Sequence, residues 1–427
     1  MVKLTNQKMN NYRFILSVFL SFTVSILYAQ TKLNIDQCYD LAKKNYPLVK
    51  QMELVSKTAE YTIQNASRGY LPQITLSGQA TYQSDVTGLP INLPNVEKLA
   101  KDQYKLYADV SQVIYDGGII SQQKKIQQAN AEVEQEKIEV ELNKLKERIN
   151  QLYFGLLMID GQLTQVELLK KDINTGIEKV NAGIYNGVAL KINADVLKAE
   201  LLKAEQKTIE LKSARNAYLT ALGLFINQTL DDATSIEQPV IAASLAVMIN
   251  RPELKLFEVQ NRYIETQSKL ITRKNLPKLG LFGQAGYGRP ALNMLNNKFD
   301  TYYIGGVRFN WALSGFYTMK NERQLLDLNR KMIDVQKEVF LFNTNVVLSQ
   351  QSSELNKLRE LMEVDNQIID LRKEIKNTAR AQLENGVISS NDYLREINAE
   401  DQARQNLLLH EIQMLIASYN YKTTSGN

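Results

Sequence analysis

The sequence has 427 residues, 44% hydrophobic and 23% charged, with only 8 Pro but 21 Tyr, a composition of long helices and aromatic-bearing strands rather than of disorder. The formal charge of +5 is spread along stretches where Lys and Arg alternate with Glu and Asp, the pattern of solvated helix faces and not of a nucleic-acid patch. A single Cys, Cys38, and a single His, His410, exclude an intrachain disulfide and a zinc site of the usual Cys/His type, and leave a His-based triad resting on one residue.

Residues 1–29 carry a basic start (Lys3, Lys8, Arg13), an apolar run from Phe14 to Leu27 and the small-residue end Leu27-Tyr28-Ala29. This is the pattern of a secretory signal peptide, and the apolar run falls short of the roughly 20 residues that span a bilayer. Removing it takes the charge to about +2. No later run is apolar enough to cross a membrane as a helix, so any membrane insertion has to use strands.

From Ile35 to about Gly69 the spacing of Leu41, Leu48, Met52, Val55, Ala59 and Ile63 predicts helix. Pro72 ends it, and alternation takes over: Ile74, Leu76, Gly78, Ala80 and Tyr82 fall on one face, Thr75, Ser77, Gln79 and Thr81 on the other. A loop with Gly88, Pro90 and Pro94 leads to a second strand, about Tyr104 to Tyr115, closed by Asp116-Gly117-Gly118. A long helical pattern follows to about Ala182. Leu142, Leu145, Ile149, Leu152, Leu156, Ile159, Leu163 and Val166 step by three and four, a coiled-coil seam on a rod of about 95 Å. Asn186-Gly187-Val188 turns the chain, and a returning helix covers about Ala194 to Leu222. Residues 224–250 read as a connector.

The chain then repeats itself. LPQITLSGQATY, residues 71–82, returns as LPKLGLFGQAGY, residues 276–287, at an offset of 205. Strands are predicted at Leu279 to Tyr287 and about Thr301 to Leu313, then a second rod whose seam is Leu325, Leu328, Met332, Val335, Val339, Phe342 and Val346. The turn Asn385-Gly386-Val387 and a helix from about Asn391 to Tyr419 complete it. Asn-Gly reverses a chain cheaply, since both residues tolerate positive φ. The resulting division is a signal peptide at 1–29, repeats at 30–223 and 251–422 joined by 224–250, and a disordered tail at 423–427. Tyr82, Tyr104, Tyr115, Tyr287, Tyr302, Tyr303 and Trp311 near strand ends suit an aromatic girdle.

Four strands cannot stand open in lipid, because unsatisfied edge groups cost several kcal/mol each. A membrane form therefore needs strands from several copies. The double repeat, the LPxLxLxGxxxY-type strand openings, the Asp-Gly-Gly exit and the Asn-Gly-Val turns followed by Asp195-Val196-Leu197 and Asp392-Tyr393-Leu394 together resemble the TolC-like outer-membrane efflux proteins. The resemblance implies a fold that is mainly α with membrane β: a homotrimer with a twelve-stranded β-barrel continuous with an α-helical barrel. It implies a channel in the outer membrane of a Gram-negative bacterium, reaching into the periplasm. Its partners would be a periplasmic adaptor protein and an inner-membrane pump or ABC exporter, and it would have no cofactor, no metal and no enzymatic activity.

Carried over residue by residue, the resemblance makes Asn186, Gly187, Val188, Asn385, Gly386 and Val387 the adaptor-docking tips. Asp392, six residues past Gly386, falls at an acidic ring position of the periplasmic gate, and Arg395 stands where the next acidic ring position would be. Leu383 and Ile388 replace the Tyr and Arg that latch the closed entrance. Asp195 lies eight residues past Gly187, so two extra residues are expected in the first tip. A periplasmic adaptor, with one hairpin between small β domains, and a secreted coiled-coil protein are the alternatives.

Overall fold

The computed structural model describes residues 32–88, 98–240 and 248–427; the signal-peptide segment, Pro90 and Pro94 lie outside them. The elements in order are β1 (Lys32–Leu33), α1 (Ile35–Asn45), α2 (Val49–Ser67), β2 (Gln73–Tyr82), β3 (Asp102–Tyr115), α3 (Ile119–Asn143), α4 (Leu145–Tyr185), α5 (Lys191–Ile226), β4 (Ser235–Ile236), α6 (Pro252–Lys274), β5 (Lys278–Arg289), β6 (Asp300–Asn310), α7 (Gly315–Glu384) and α8 (Ser390–Ser425). The helix expected from Ile35 to Gly69 is broken where Tyr46 turns extended before Pro47, as a residue preceding proline tends to. The first rod is interrupted at Lys144, whereas α7 runs 70 residues without a break.

The described residues form two compact units. One contains β1, α1, α4, α5, β4, the later part of α7 and most of α8. Its main core joins Cys38 and Ala42 of α1, Ile149, Tyr153 and Phe154 of α4, Leu222 of α5 and Leu415 of α8, all nearly or fully buried. At full burial the large apolar ones, Ile149, Phe154, Leu222 and Leu415, contribute roughly 1.5–3 kcal/mol each. The Tyr153 hydroxyl reaches the carbonyl oxygens of Leu33 (2.9 Å) and Glu237 (2.6 Å), which fastens the parallel β1–β4 ribbon to this core. Burial pushes the Cys38 thiol up to about 12, so it stays protonated and packs as a small hydrophobe.

The other unit contains α2, the four longer strands, α3, α6 and the first part of α7. Its sheet is antiparallel throughout, in the order β2-β3-β5-β6. Beside it, α3 packs on α2 and α6 through Ile126, Ala129, Val133, Val259 and Ile271. The Asp116-Gly117-Gly118 exit has a clear physical origin. Both glycines have positive φ (75° and 80°), and a side chain on Gly117 would strike the Arg273 carbonyl. The Asp116 carboxylate then accepts from the amides of Gly118 (2.8 Å) and Ile120 (2.7 Å), capping α3.

The expected tail is instead ordered. Residues 423–425 finish α8 with Thr423 and Ser425 buried, and the Ser425 carbonyl accepts from the Asn250 amide at 2.6 Å.

Candidate functional site

The two hairpin turns are the same structure. In the first, the Gly187 amide donates to the Ile184 carbonyl (3.0 Å) and the Val188 amide to the Gly183 carbonyl (2.9 Å). In the second, Gly386 donates to Leu383 (3.1 Å) and Val387 to Gln382 (2.9 Å). This is the Schellman helix end, in which glycine takes the left-handed position. Of the two residues in each Asn-Gly pair only the glycine has positive φ, 72° at Gly187 and 69° at Gly386. Asn385 instead uses its side-chain amide to satisfy the Ala381 carbonyl at 2.8 Å.

The tips also have equal length. Three residues separate Gly187 from Lys191 at the start of α5, and three separate Gly386 from Ser390 at the start of α8. No residues are inserted, and Asn193, not Asp195, occupies the position equivalent to Asp392. The eight-residue spacing arises because the nearest acidic side chain, Asp195, lies one half-turn beyond the equivalent position. Asp195 is half-exposed and faces Lys198 at 4.0 Å.

Asp392 has a local partner. Its carboxylate accepts from the Ser389 amide (3.2 Å) and hydroxyl (2.7 Å), while its own amide donates to the Ser389 hydroxyl oxygen (3.2 Å). This reciprocal box closes the start of α8, and the Ser389 hydrogen bonds hold the Asp392 carboxyl below the usual carboxylate range. Arg395 is largely exposed, 3.9 Å from Asp392 and 3.2 Å from Glu396. A groove between α7 and α8 is lined by Glu374, Gln382, Ile388, Asp392, Arg395 and Glu396.

Leu383 and Ile388 are partly buried against an apolar cluster in which Ile173 and Val180 of α4 and Ala194 and Leu197 of α5 meet Ala379 of α7 and Tyr393, Leu394 and Ile397 of α8. The two hairpins are therefore joined near their tips by packing. Gly176 leaves room for the Tyr393 ring, which a Cβ there would approach to 3.0 Å. Burial, reinforced by the negative Asp172, pushes the Tyr393 phenol up to about 12.

Sequence reasoning missed the charged group beside this cluster. The Lys376 ammonium donates to Asp172 of α4 (2.7 Å) and pairs with Glu400 of α8, which also accepts from Arg404 at 2.6 and 2.8 Å. Lys376 is 12% exposed and Glu400 3%. Burial works against charge on Glu400, but Lys376 and Arg404 hold its carboxyl below its ordinary range. A lysine in the long rod and the Glu400–Arg404 spacing of four residues gave no distinctive signal, because such pairs recur all along these helices.

The sheet is the other notable surface. Its register puts Ile74, Leu76, Leu106, Val110, Leu281, Tyr303, Val307 and Phe309 on one face, all exposed. The opposite face carries Thr75, Ser77, Lys105, Asp109, Gln284 and Arg308. A bulge between Val113 and Tyr115 shifts the pairing so that Tyr115 stands opposite Leu279, bringing it to the apolar face. Tyr302 pairs with Gly286 and lies on the polar face, so it is not part of the girdle expected for it. Among the described residues, the outer strands β2 and β6 each leave one edge unpaired. On α7 the second seam, Leu325, Leu328, Met332, Val335, Val339, Phe342 and Val346, is exposed along its whole length.

Two helical hairpins, each introduced by a strand pair, with the four strands in one antiparallel sheet, define the fold of the outer-membrane channel proteins. Solved structures share it over 92% of this chain: the outer membrane protein VceC of Vibrio cholerae (TM-score 0.63, 14% identity, 96% of that chain), and the CmeC outer membrane channel of Campylobacter jejuni (TM-score 0.62, 14% identity, 85% of that chain). The MtrE outer membrane channel of Neisseria gonorrhoeae, in its open state, matches similarly (TM-score 0.64, 12% identity, 89% of that chain). In sequence, residues 38–228 match the model of the outer membrane efflux protein family. The likeness to the TolC-like outer-membrane efflux proteins is thus found in sequence over the first repeat and in fold over nearly the whole chain. A comparison with curated protein sequences gives no match.

Proposed function

We propose that this chain is one copy of an outer-membrane channel that serves as the exit duct of a tripartite efflux pump or type I secretion system in a Gram-negative bacterium. The observation that carries this reading is the sheet: one face exposes a band of large apolar side chains, interrupted only by Gln112 and, toward one end, Asp102, Arg289 and Thr301, the other face is mainly polar, and among the described residues both edges are open. Such a sheet is stable in lipid only when closed, and three copies of four strands supply twelve, enough for a barrel. The exposed seam of α7 supplies an apolar surface for the neighbouring copy.

The hairpin tips at Asn186, Gly187, Val188 and Asn385, Gly386, Val387 would meet a periplasmic adaptor protein, itself joined to an inner-membrane pump or ABC exporter. Their identical Schellman geometry supports a shared docking role, since it presents Val188 and Val387 in the same exposed way. Asp392 and Arg395 would line the periplasmic gate, with Leu383 and Ile388 holding it by packing instead of by a polar latch. Asp195 is placed less favourably for the gate, since Asn193 takes the register of Asp392.

Planar-bilayer recording of the purified protein tests the function. Stepwise currents are expected, and Asp392→Ala should alter single-channel conductance or divalent-cation block. A protein that inserts without conducting would refute the channel, while unchanged currents and block in the variant would remove only Asp392 from the gate.

A further inference from the structure

The polar face of the sheet has an uneven charge. At the end from which α6 enters and α7 leaves, β5 opens with Lys278 and β6 closes with Arg308 and Asn310, Lys278 standing opposite Asn310. The Arg308 guanidinium lies 4.7 Å from the centre of the Phe282 ring, and that ring lies over Gly306, where a Cβ would come within 3.1 Å of it. Stacking fixes the cation over the polar face without neutralising it. Neither Lys278 nor Arg308 has an acidic partner among the described residues.

The acidic groups nearby are engaged by other donors: Asp116, which lines the same cavity as Lys278 and Arg308, accepts from the Gly118 and Ile120 amides. Asp109 accepts from the Gln284 side chain (2.8 Å) in the middle of the sheet. Asp300 sits at the far end and accepts from the Thr301 amide (2.8 Å). Next to the middle tier, Tyr107 and Tyr302 pair with Gly286 from either side, where a Cβ would meet the Cβ of Tyr107 and the ring of Tyr302, so two aromatic side chains also lie on this face.

We infer that Lys278 and Arg308 select the charge of what passes through the channel, favouring anionic solutes that carry aromatic groups. The inference rests on the channel reading, in which the polar face lines the lumen. Three copies would then bring six such cations to one end of the pore, with a Phe282 ring beside each Arg308. A ring of one sign with low-dielectric walls concentrates the oppositely charged solute. Apolar rings add stacking surface for a flat cargo. Lys105 shares the polar face but lies at the other end, level with Asp300, where the charges balance.

The test is block of single-channel current by pyrenetetrasulfonate, a flat aromatic anion, added to a bilayer holding the full channel. Wild type should be blocked. The double variant Lys278→Gln/Arg308→Gln should need about tenfold more blocker, while Lys105→Gln changes block little. Both altered side chains are on a solvent-facing surface, and light-scattering mass confirms that the variant assembles. Currents that persist with equal block in wild type and double variant, or a wild type that is not blocked at all, would overturn the inference and leave the channel standing. Failure of every form to conduct would overturn the channel reading, and this inference with it.

Discussion

Lys376 shows how much one side chain can join. It has one partner on its own hairpin, Glu400, and one on the other, Asp172, and its ammonium is largely shielded from water. Replacing Glu400 by Gln leaves Lys376 with Asp172 alone and frees Arg404. We expect a loss of about 2 kcal/mol, less than the ~3–5 kcal/mol of stranding a buried charge completely, read as a lower denaturant midpoint. Next to it, burial raises the Asp401 carboxyl above its ordinary pKa of 3.8. Its ionisation therefore opposes folding. Asp401→Asn should leave stability unchanged below pH 3.8 and raise it progressively as pH climbs from 3.8 through the raised folded pKa, because in that window unfolded wild type releases the proton that the folded protein still holds. Melting curves across pH check the sign; a variant less stable at neutral pH would contradict it.

At the scale of elements, the strands were the most readable part of the sequence. Period-two alternation in LPQITLSGQATY fixed which residues share a face, and the pairing of Leu76 with Ala108 and of Leu281 with Val307 puts those faces together. Tyr115 and Tyr302 show what alternation cannot tell: a one-residue bulge, or a tyrosine placed on the polar face, is set by the pairing partner and not by the residue itself. The hairpin turns were legible as turns but not as types, since Asn-Gly suits both a hairpin turn and a Schellman end. The distinction has a consequence. Gly386 has φ of 69° and no atom within 4 Å of a would-be Cβ, so Gly386→Ala should cost roughly 1–2 kcal/mol from backbone conformation alone, with no clash to relieve. Asn385→Ala should cost less, because only its side-chain bond to Ala381 is lost. Thermal unfolding followed by circular dichroism ranks the two; a larger loss at Asn385 would contradict this turn geometry.

At the scale of the whole molecule, duplication was the informative signal. It implies two strand pairs and two hairpins from the sequence alone. It could not show the Lys376 group or the ordered end of α8, because both depend on segments far apart in sequence meeting in space. The two seams, equal in periodicity, also have different fates. Leu145, Ile149 and Leu156 are buried within the chain, whereas Leu328, Val335 and Phe342 remain exposed. Periodicity records that a stripe wants a partner; it does not say whether the partner is the same chain. The open sheet and the exposed seam both ask for further copies, and one measurement tests that demand most directly: the mass of the detergent-extracted protein by light scattering, corrected for bound detergent. The account predicts a trimer, three times the mass of the mature chain, that needs detergent to stay in solution. A monomer that remains soluble without detergent would contradict the shared barrel and the channel built on it.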